Sequence, residues 1–322
     1  RSLSRVSGIF FNLNECCTNP EMQQLAEDIS PMLTEYEMSI ILNPELFARV
    51  KAVYDKKELL NLNTEQAKLL EETYKSFTRN GANLDDTKKA EYSKVVEALS
   101  VATLKFGRNM LAATNAFTLD LTDEADLEGL PDYVREMAAL EAKNRGKEGW
   151  VFTLNQPSYS PFMKYSAKRE LREKIWRAYN TKCIGGDADN TAAIKEIVGL
   201  RIQEADILGY RTYADYALED RMAKNPETVN DFLSDLREKS YPFAMRDVAE
   251  IRKYAVDHGF NGELMPWDFS YYSEKLKTEK YNVNDAQIKP YLSLDKVIDG
   301  VFDDLDIYAD NAESRNKVVE II

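Results

Sequence analysis

The sequence is poor in the residues that most hydrolytic enzymes place at their reacting centres. Its 322 residues include one histidine, His258, and three cysteines, Cys16, Cys17 and Cys183. A single histidine excludes the two-histidine zinc sites of many hydrolases, and no HExxH motif is present. The cysteines are odd in number and form no CxxC pair, which argues against a disulfide framework and a cysteine zinc site. We therefore predict no catalytic residue and no metal ligand set within this chain.

Several other protein classes are excluded by what the sequence lacks. It has no apolar run of about 18 residues, as a membrane span would need, and no phosphate-binding glycine loop. The net charge is -13 and no basic stripe is present, so neither nucleic acid nor a membrane is expected as a partner. The N-terminus is neither a signal peptide nor an initiating methionine, so the chain is expected to begin inside a longer reading frame. A cytoplasmic location is predicted, or a periplasmic one if an upstream signal has been removed.

What the sequence has in abundance is apolar residues at helical spacing. Asn63 and Gln66 predict a capping box at the start of one helix, and Asn80 with Gly81 predicts its end. An apolar stripe predicts a second, longer helix. It comprises Tyr92, Val95, Val96, Leu99, Ala102, Phe106, Met110 and Ala113. These stripes are expected to lie in the core.

A further long helix is predicted from Asn225 and Pro226. Its first apolar stripe contains Val229, Phe232, Leu233 and Leu236 and is likewise expected to lie in the core. Pro242 is expected to kink or divide it. The helix should end near His258, which is interpreted as a C-terminal capping residue favoured by the helix dipole.

One segment does not fit the helical pattern. "WVFTLNQPSYSPFMKYSAKRELREKIWRAYN", Trp150 to Asn180, begins with β-favouring residues and contains Pro157 and Pro161. The prolines are expected to limit a strand. Such a strand can hold a peptide by main-chain hydrogen bonds, or it can simply pack on the protein. The predicted fold is mainly α with a small β element near 150–157, divided into regions 1–149, 150–302 and 303–322.

This segment and four others resemble the thimet oligopeptidase and peptidyl-dipeptidase family of zinc metallopeptidases. Within that family the likeness is greatest to the bacterial peptidyl-dipeptidases. "GWVFTLNQPSYSPFMKYSAKRELREKIWRAYN" is similar to the family's strand-proline-helix signature. "RVSGIFFNLNECCTN" and "LNPELFARVKAVYD" are similar to its early helices. "IKEIVGLRIQEADILGYRTYADYALEDRMAKNPETVNDFLSDL" and "MPWDFSYYSEKLKTEKYNVNDAQIKPYLSLDKVIDGVF" are similar to its middle and to the approach to its catalytic domain.

The resemblance implies a fold and a function. The fold would be two mainly helical lobes flanking a channel with zinc on its floor. The function would be hydrolysis of short peptides by a zinc-bound water with a glutamate as general base. This chain is expected to hold no zinc and to be inactive alone, since it has the N-terminal half but not the zinc motif. The candidate substrate-binding residues are Val151, Thr153, Tyr159, Trp267, Tyr271 and Tyr272, although the aromatics of "WDFSYY" are also typical of core packing.

Residues 303–322 do not resemble the family. In the family's fold a catalytic domain would cover some helix faces that this chain leaves exposed. We expect these faces to cause self-association or to capture the tail. The apolar residues of the tail are Val318, Val319, Ile321 and Ile322. The alternative to a function as part of a peptidase is that of a non-catalytic helical module that binds peptides or a partner.

Overall fold

The structure is a computed structural model that describes residues 2–282 and 285–308. These residues are mainly helical with one small sheet, which confirms the predicted fold class. None of the helices in this part of the chain combines the length and the hydropathy that a membrane span requires. Residues 309–322, which include the four apolar tail residues named above, lie outside the described part. The prediction that they cover an apolar face therefore concerns residues outside the described part.

The helices α1 to α14 follow in chain order at Ser2–Cys16, Pro20–Ile41, Pro44–Tyr54, Thr64–Arg79, Asp86–Ala116, Asp132–Asn144, Gln156–Tyr165, Arg169–Asn180, Thr191–Leu208, Tyr213–Glu219, Pro226–Asp257, Pro266–Tyr281, Asp285–Ile288 and Leu294–Tyr308. Strands β1 and β2 comprise Leu119–Leu121 and Trp150–Phe152 and pair with each other. Short 3-10 turns lie at Lys57–Leu59, Glu124–Leu127 and Lys289–Tyr291.

The chain divides into two compact units that interleave in sequence. The first comprises Arg1–Leu119, Thr153–Asn155 and Arg177–Phe243, and the second comprises Asp120–Phe152, Gln156–Trp176 and Ala244–Ile322. In the first unit α5 packs against α2 and α9. In the second unit α7 packs against α6, β2 and α12. The sequence-based division at residues 149 and 302 stays a prediction.

The helix ends follow their local sequence signals. Asn63 and Gln66 form the predicted capping box of α4, and Asn80 is its C-cap. The stripe that begins at Tyr92 lies on α5, whose 31 residues span about 46 Å. Gly209 ends α9 in the left-handed conformation at φ +83°, where glycine avoids the cost of a Cβ.

The structure corrects the prediction that Pro157 and Pro161 limit a strand. Of the two outcomes expected at Pro242, a kink or a division, it excludes the division. Pro161 lies inside α7 and Pro157 in its first turn, so neither ends β2, which stops at Phe152. Pro242 lies inside α11, and the helix continues through it without division. A proline removes only one helical N–H donor, and a helix of 32 residues keeps the hydrogen bonds on either side of it.

The first apolar stripe of α11 was expected in the core, and this expectation is wrong. Phe232, Leu233 and Leu236 are 66%, 52% and 50% exposed. Helical spacing shows that residues share a face, but only a neighbouring element can bury that face.

The core of the first unit contains a buried carboxyl group. Glu204 on α9 is 7% exposed, and its Oε2 has no hydrogen-bond partner among the described residues. The titratable groups that interact with it are Arg201 on the same helix, Tyr92 on α5 and Tyr216 on α10. Burial raises the pKa of Glu204, and Arg201 opposes that rise.

We expect Glu204→Gln to stabilise the chain near neutral pH by roughly 1 kcal/mol. A carboxyl whose pKa is raised by folding stabilises the fold below its ordinary pKa, and this contribution is lost as pH rises through the folded-state value. Thermal melting between acidic and neutral pH should show a higher melting temperature for the variant than for the parent chain only at neutral pH. Glu196→Gln, an exposed position on the same helix, is the control and should change nothing. A gain that is equal at all pH values would contradict the explanation.

Candidate functional site

Strand β2 is buried against the second unit's own side chains. Val151 and Phe152 are each 1% exposed, and the Phe152 ring lies 4.6 Å from the ring of Phe162 on α7. Gly149 precedes the strand at φ +79°, close to the main chain of Leu121 in β1. The structure thus places Val151 in a packed position.

Thr153 and Tyr159 follow β2 but are placed differently. Thr153 is buried, belongs to the first unit, and its Oγ1 accepts a hydrogen bond of 3.4 Å from the Asn155 N–H. Tyr159 is half-buried on α7 in the second unit. The two residues are therefore assigned to different units.

The aromatic residues of "WDFSYY" lie together on α12. Trp267 and Tyr271 are 4% and 8% exposed, whereas Tyr272 is half-buried. The Trp267 ring lies 5.6 Å from Trp176, and Tyr272 lies 5.2 Å from Tyr271 and 5.5 Å from Phe260. Burial raises the pKa of Tyr272. Because α7 packs on α12, Tyr159 and the three α12 aromatics lie on contacting helices.

A buried ion cluster joins α8 to the start of α12. Arg172 Nη2 lies 3.0 Å from Asp268 Oδ1, and Arg169 Nη2 lies 2.8 Å from Asp268 Oδ2. Arg172 is 1% exposed and Asp268 0%. Arg172 also donates to the main-chain oxygens of Ser166 at 2.7 Å and Trp267 at 3.1 Å. The cluster thereby fixes the α12 segment that carries the aromatics.

Local structure explains why Asp268 is the acceptor. It lies in the first turn of α12, which Pro266 opens, and its Oδ2 accepts a 3.0 Å hydrogen bond from the Met265 N–H. Burial alone would raise the pKa of Asp268, but hydrogen bonds from Arg169, Met265 and Arg172 outweigh it and hold that pKa below its usual value. The carboxylate is therefore charged in the folded protein at neutral pH.

A second buried acid lies two turns further along α12. Glu274 is 7% exposed, and its carboxylate lies 3.1 Å from Lys277 Nζ and 3.8 Å from Lys164 Nζ on α7. The Lys164 contact joins α12 to α7, whereas Lys277 lies on α12 itself. Sequence reasoning identified neither Glu274 nor the cluster around Asp268 as important.

The described residues were also compared with the requirements of a metal site. Across residues 2–282 and 285–308 no group of three or more histidine, cysteine, aspartate or glutamate residues is placed to hold a metal ion. His258 directly follows α11, with Nδ1 2.8 Å from the Tyr254 main-chain oxygen and Nε2 3.3 Å from Glu279 Oε2. That geometry agrees with its interpretation as a capping residue.

Comparison with known proteins identifies the relatives of this chain. Residues 162–306 match Peptidase family M3. Oligopeptidase A of Salmonella typhimurium is 33% identical over 322 residues, which cover 98% of this chain and 47% of that protein. Dipeptidyl carboxypeptidase of Escherichia coli is 33% identical over 303 residues, covering 93% and 44%. Probable cytosolic oligopeptidase A of Arabidopsis thaliana is 32% identical over 309 residues, covering 93% and 44%.

These matches confirm the resemblance stated from the sequence. The chain is related to peptidase family M3, and the names of its relatives are those of oligopeptidases and a dipeptidyl carboxypeptidase. The chain spans about half the length of the curated relatives it matches.

Proposed function

We propose that this chain, a relative of peptidase family M3, takes part in the hydrolysis of short peptides and supplies a peptide-binding part of the enzyme. The observation that supports the proposal is the identity of 33% to Oligopeptidase A across 98% of this chain. In this proposal zinc is held by residues outside those described here, and when bound it supplies an activated water. The residues described here then bind and orient the peptide.

Among the six candidate residues, exposure suggests a division of roles. Tyr159 and Tyr272 are half-buried, so part of each side chain is exposed, and we propose that they contact the peptide directly. Val151, Trp267 and Tyr271 are buried in the same unit and would support that surface, with Arg172 and Asp268 holding α12 in place. Thr153 belongs to the first unit and would act separately.

We propose a cytoplasmic location for the protein. The support is the name of one Arabidopsis relative, a probable cytosolic oligopeptidase, while another is described as chloroplastic and mitochondrial. Nothing among these relatives supports the periplasmic option.

The proposal predicts that Tyr272→Ala weakens the binding of short peptides by roughly tenfold, which corresponds to about 1.4 kcal/mol. Binding would be measured by fluorescence anisotropy with a mixed set of dye-labelled short peptides and the 322-residue chain. Tyr281→Ala is the control, because Tyr281 is 63% exposed near the end of the same helix. It should leave the affinity unchanged.

The same assay separates the proposal from its alternative. Saturable binding of many unrelated short peptides, without zinc-dependent cleavage by the chain alone, is the expected result. A chain that binds none of the peptides would overturn the proposal. Binding of a single sequence, equally in the Tyr272→Ala protein, would instead favour a non-catalytic binding module.

A further inference from the structure

The chain contains two Asn-Gly pairs, Asn80-Gly81 and Asn261-Gly262. An asparagine followed by glycine is chemically labile, because the glycine main-chain nitrogen can attack the side-chain amide carbon and no glycine side chain hinders the approach. The two groups must come together, so a fold that fixes either of them slows the reaction. The pairs lie in different units and differ in how the fold holds them.

The first pair, in the first unit, is held from several sides. The Asn80 side chain donates a 2.7 Å hydrogen bond to the Ser76 main-chain oxygen and accepts one of 3.4 Å from the Tyr216 hydroxyl. Gly81 is buried, and a Cβ added there would lie 2.9 Å from Leu84 Cδ1. The Asn80 amide must therefore give up both hydrogen bonds, and its packed surroundings must open, before the Gly81 nitrogen can reach it.

The second pair lies in the connection between α11 and α12 and is held only at its flanks. Before it, the Phe260 N–H donates a 2.9 Å hydrogen bond to the Ala255 oxygen. After it, the Glu263 main-chain oxygen accepts a 3.4 Å hydrogen bond from Arg169. Within residues 2–282 and 285–308, neither side-chain nor main-chain hydrogen bonds hold Asn261-Gly262 itself.

Gly262 also lacks the crowding that surrounds Gly81. Its φ is +140°, in the region that favours glycine. Apart from its chain neighbours, an added Cβ would meet nothing nearer than 3.9 Å, at the Phe260 ring. In the described part of the chain, neither hydrogen bonding nor packing keeps the Gly262 nitrogen away from Asn261 Cγ.

We propose that Asn261 is a site of spontaneous deamidation, that the fold protects Asn80 from the same reaction, and that the modified connection disturbs the entry to α12. The Gly262 main-chain nitrogen loses its proton to hydroxide and attacks Asn261 Cγ. A C–N bond forms, the bond from Cγ to the side-chain nitrogen breaks, and ammonia leaves. Water then opens the resulting succinimide at one of its two carbonyl carbons, which yields aspartate or isoaspartate. Overall, water is consumed and ammonia is released.

The isoaspartate product acts on the main chain as well as on the charge. It replaces a neutral amide with a carboxylate and places one extra atom in the main chain between residues 261 and 262. The connection is anchored before the pair at Phe260 and after it at Met265, whose N–H donates to Asp268. The extra length must therefore be taken up near Glu263, and its contact with Arg169 is lost.

The experiment is incubation of the 322-residue chain at mildly alkaline pH, with and without urea, followed by peptide mapping with a mass spectrometer. In urea the two asparagines should deamidate at comparable rates. In the native chain Asn261 should react at close to its rate in urea. Asn80 should react at least about tenfold more slowly, the effect of a local opening that costs about 1.4 kcal/mol. Asn261→Gln is the control, because glutamine closes the corresponding ring far more slowly, and it should abolish the reaction at this position alone.

A second measurement identifies the product and its effect. An isoaspartyl methyltransferase with labelled S-adenosylmethionine methylates isoaspartate and not aspartate, so the aged parent chain should accept the label and the Asn261→Gln variant should not. The aged parent should also unfold at a lower urea concentration than fresh Asn261→Asp, which adds the charge without the extra main-chain atom. A native chain in which Asn261 deamidates no faster than Asn80 would overturn the proposal. Isoaspartate at 261 with the same urea midpoint as Asn261→Asp would overturn the effect on α12.

Discussion

Replacing Asp268 with asparagine should lower the free energy of unfolding by about 3–5 kcal/mol, the usual cost of removing one partner from a buried ion pair. The neutral amide would leave the guanidinium of Arg172, which is 1% exposed, without a counter-charge. Arg169, whose side chain is 42% exposed, can turn to water and would suffer less. Urea denaturation followed by circular dichroism is the appropriate measurement.

The effect of Asp268→Asn should depend on pH in a defined direction. Folding lowers the pKa of Asp268, so its carboxylate stabilises the fold above the ordinary pKa, and this contribution is lost as pH falls through the folded-state value. The parent and the variant should therefore converge in strong acid. Asp235→Asn is the control, because Asp235 pairs with Lys239 on the exposed face of α11, and such pairs contribute about 0.5 kcal/mol or less.

A second variant tests whether the charges or the packing matter. Arg172→Met combined with Asp268→Leu removes both buried charges and fills their space with apolar groups. We expect the double variant to lose less free energy of unfolding than the two single variants lose together. Simple additivity, or a loss below about 1 kcal/mol for Asp268→Asn, would show that the cluster does not hold α8 to α12.

The sequence predicted the helices well because their signals are local. The Asn63 capping box and the long α5 depend only on neighbouring residues. The partner of β2 was missed because β1 has only three residues and comes about thirty positions earlier in the chain. The α11 stripe was wrongly placed in the core because burial depends on what packs against a helix, and spacing does not contain that information.

The candidate site shows the same limit. "WDFSYY" drew attention to its aromatics, but the residue that organises the segment is the aspartate between them, Asp268. Its partners Arg169 and Arg172 lie nearly one hundred residues earlier, so no local pattern joins them. One signal was present, since Arg172 lies three residues before the buried Ile175 and therefore on the inward face of α8. An arginine on an apolar face indicates a buried acid elsewhere in the chain.

Gly149→Ala should be the second severe change, with a loss of roughly 3 kcal/mol or more. Gly149 has φ +79°, in the left-handed region that favours glycine, and an added Cβ would overlap the main-chain oxygen of Leu121. That oxygen belongs to β1 and cannot move as a flexible side chain does. The expected result is separation of β1 from β2, which would be seen as faster hydrogen exchange in both strands together with a lower urea midpoint.

Gly146→Ala provides the matched control for this prediction. Gly146 lies three residues earlier with φ +67°, but a Cβ there would meet nothing within 4 Å. Its substitution should therefore cost only the strain of the left-handed conformation, about 1 kcal/mol. The difference between the two variants measures the steric overlap with β1. Equal losses for Gly146→Ala and Gly149→Ala would mean that backbone strain alone acts, and that the close approach to Leu121 relaxes without disturbing the sheet.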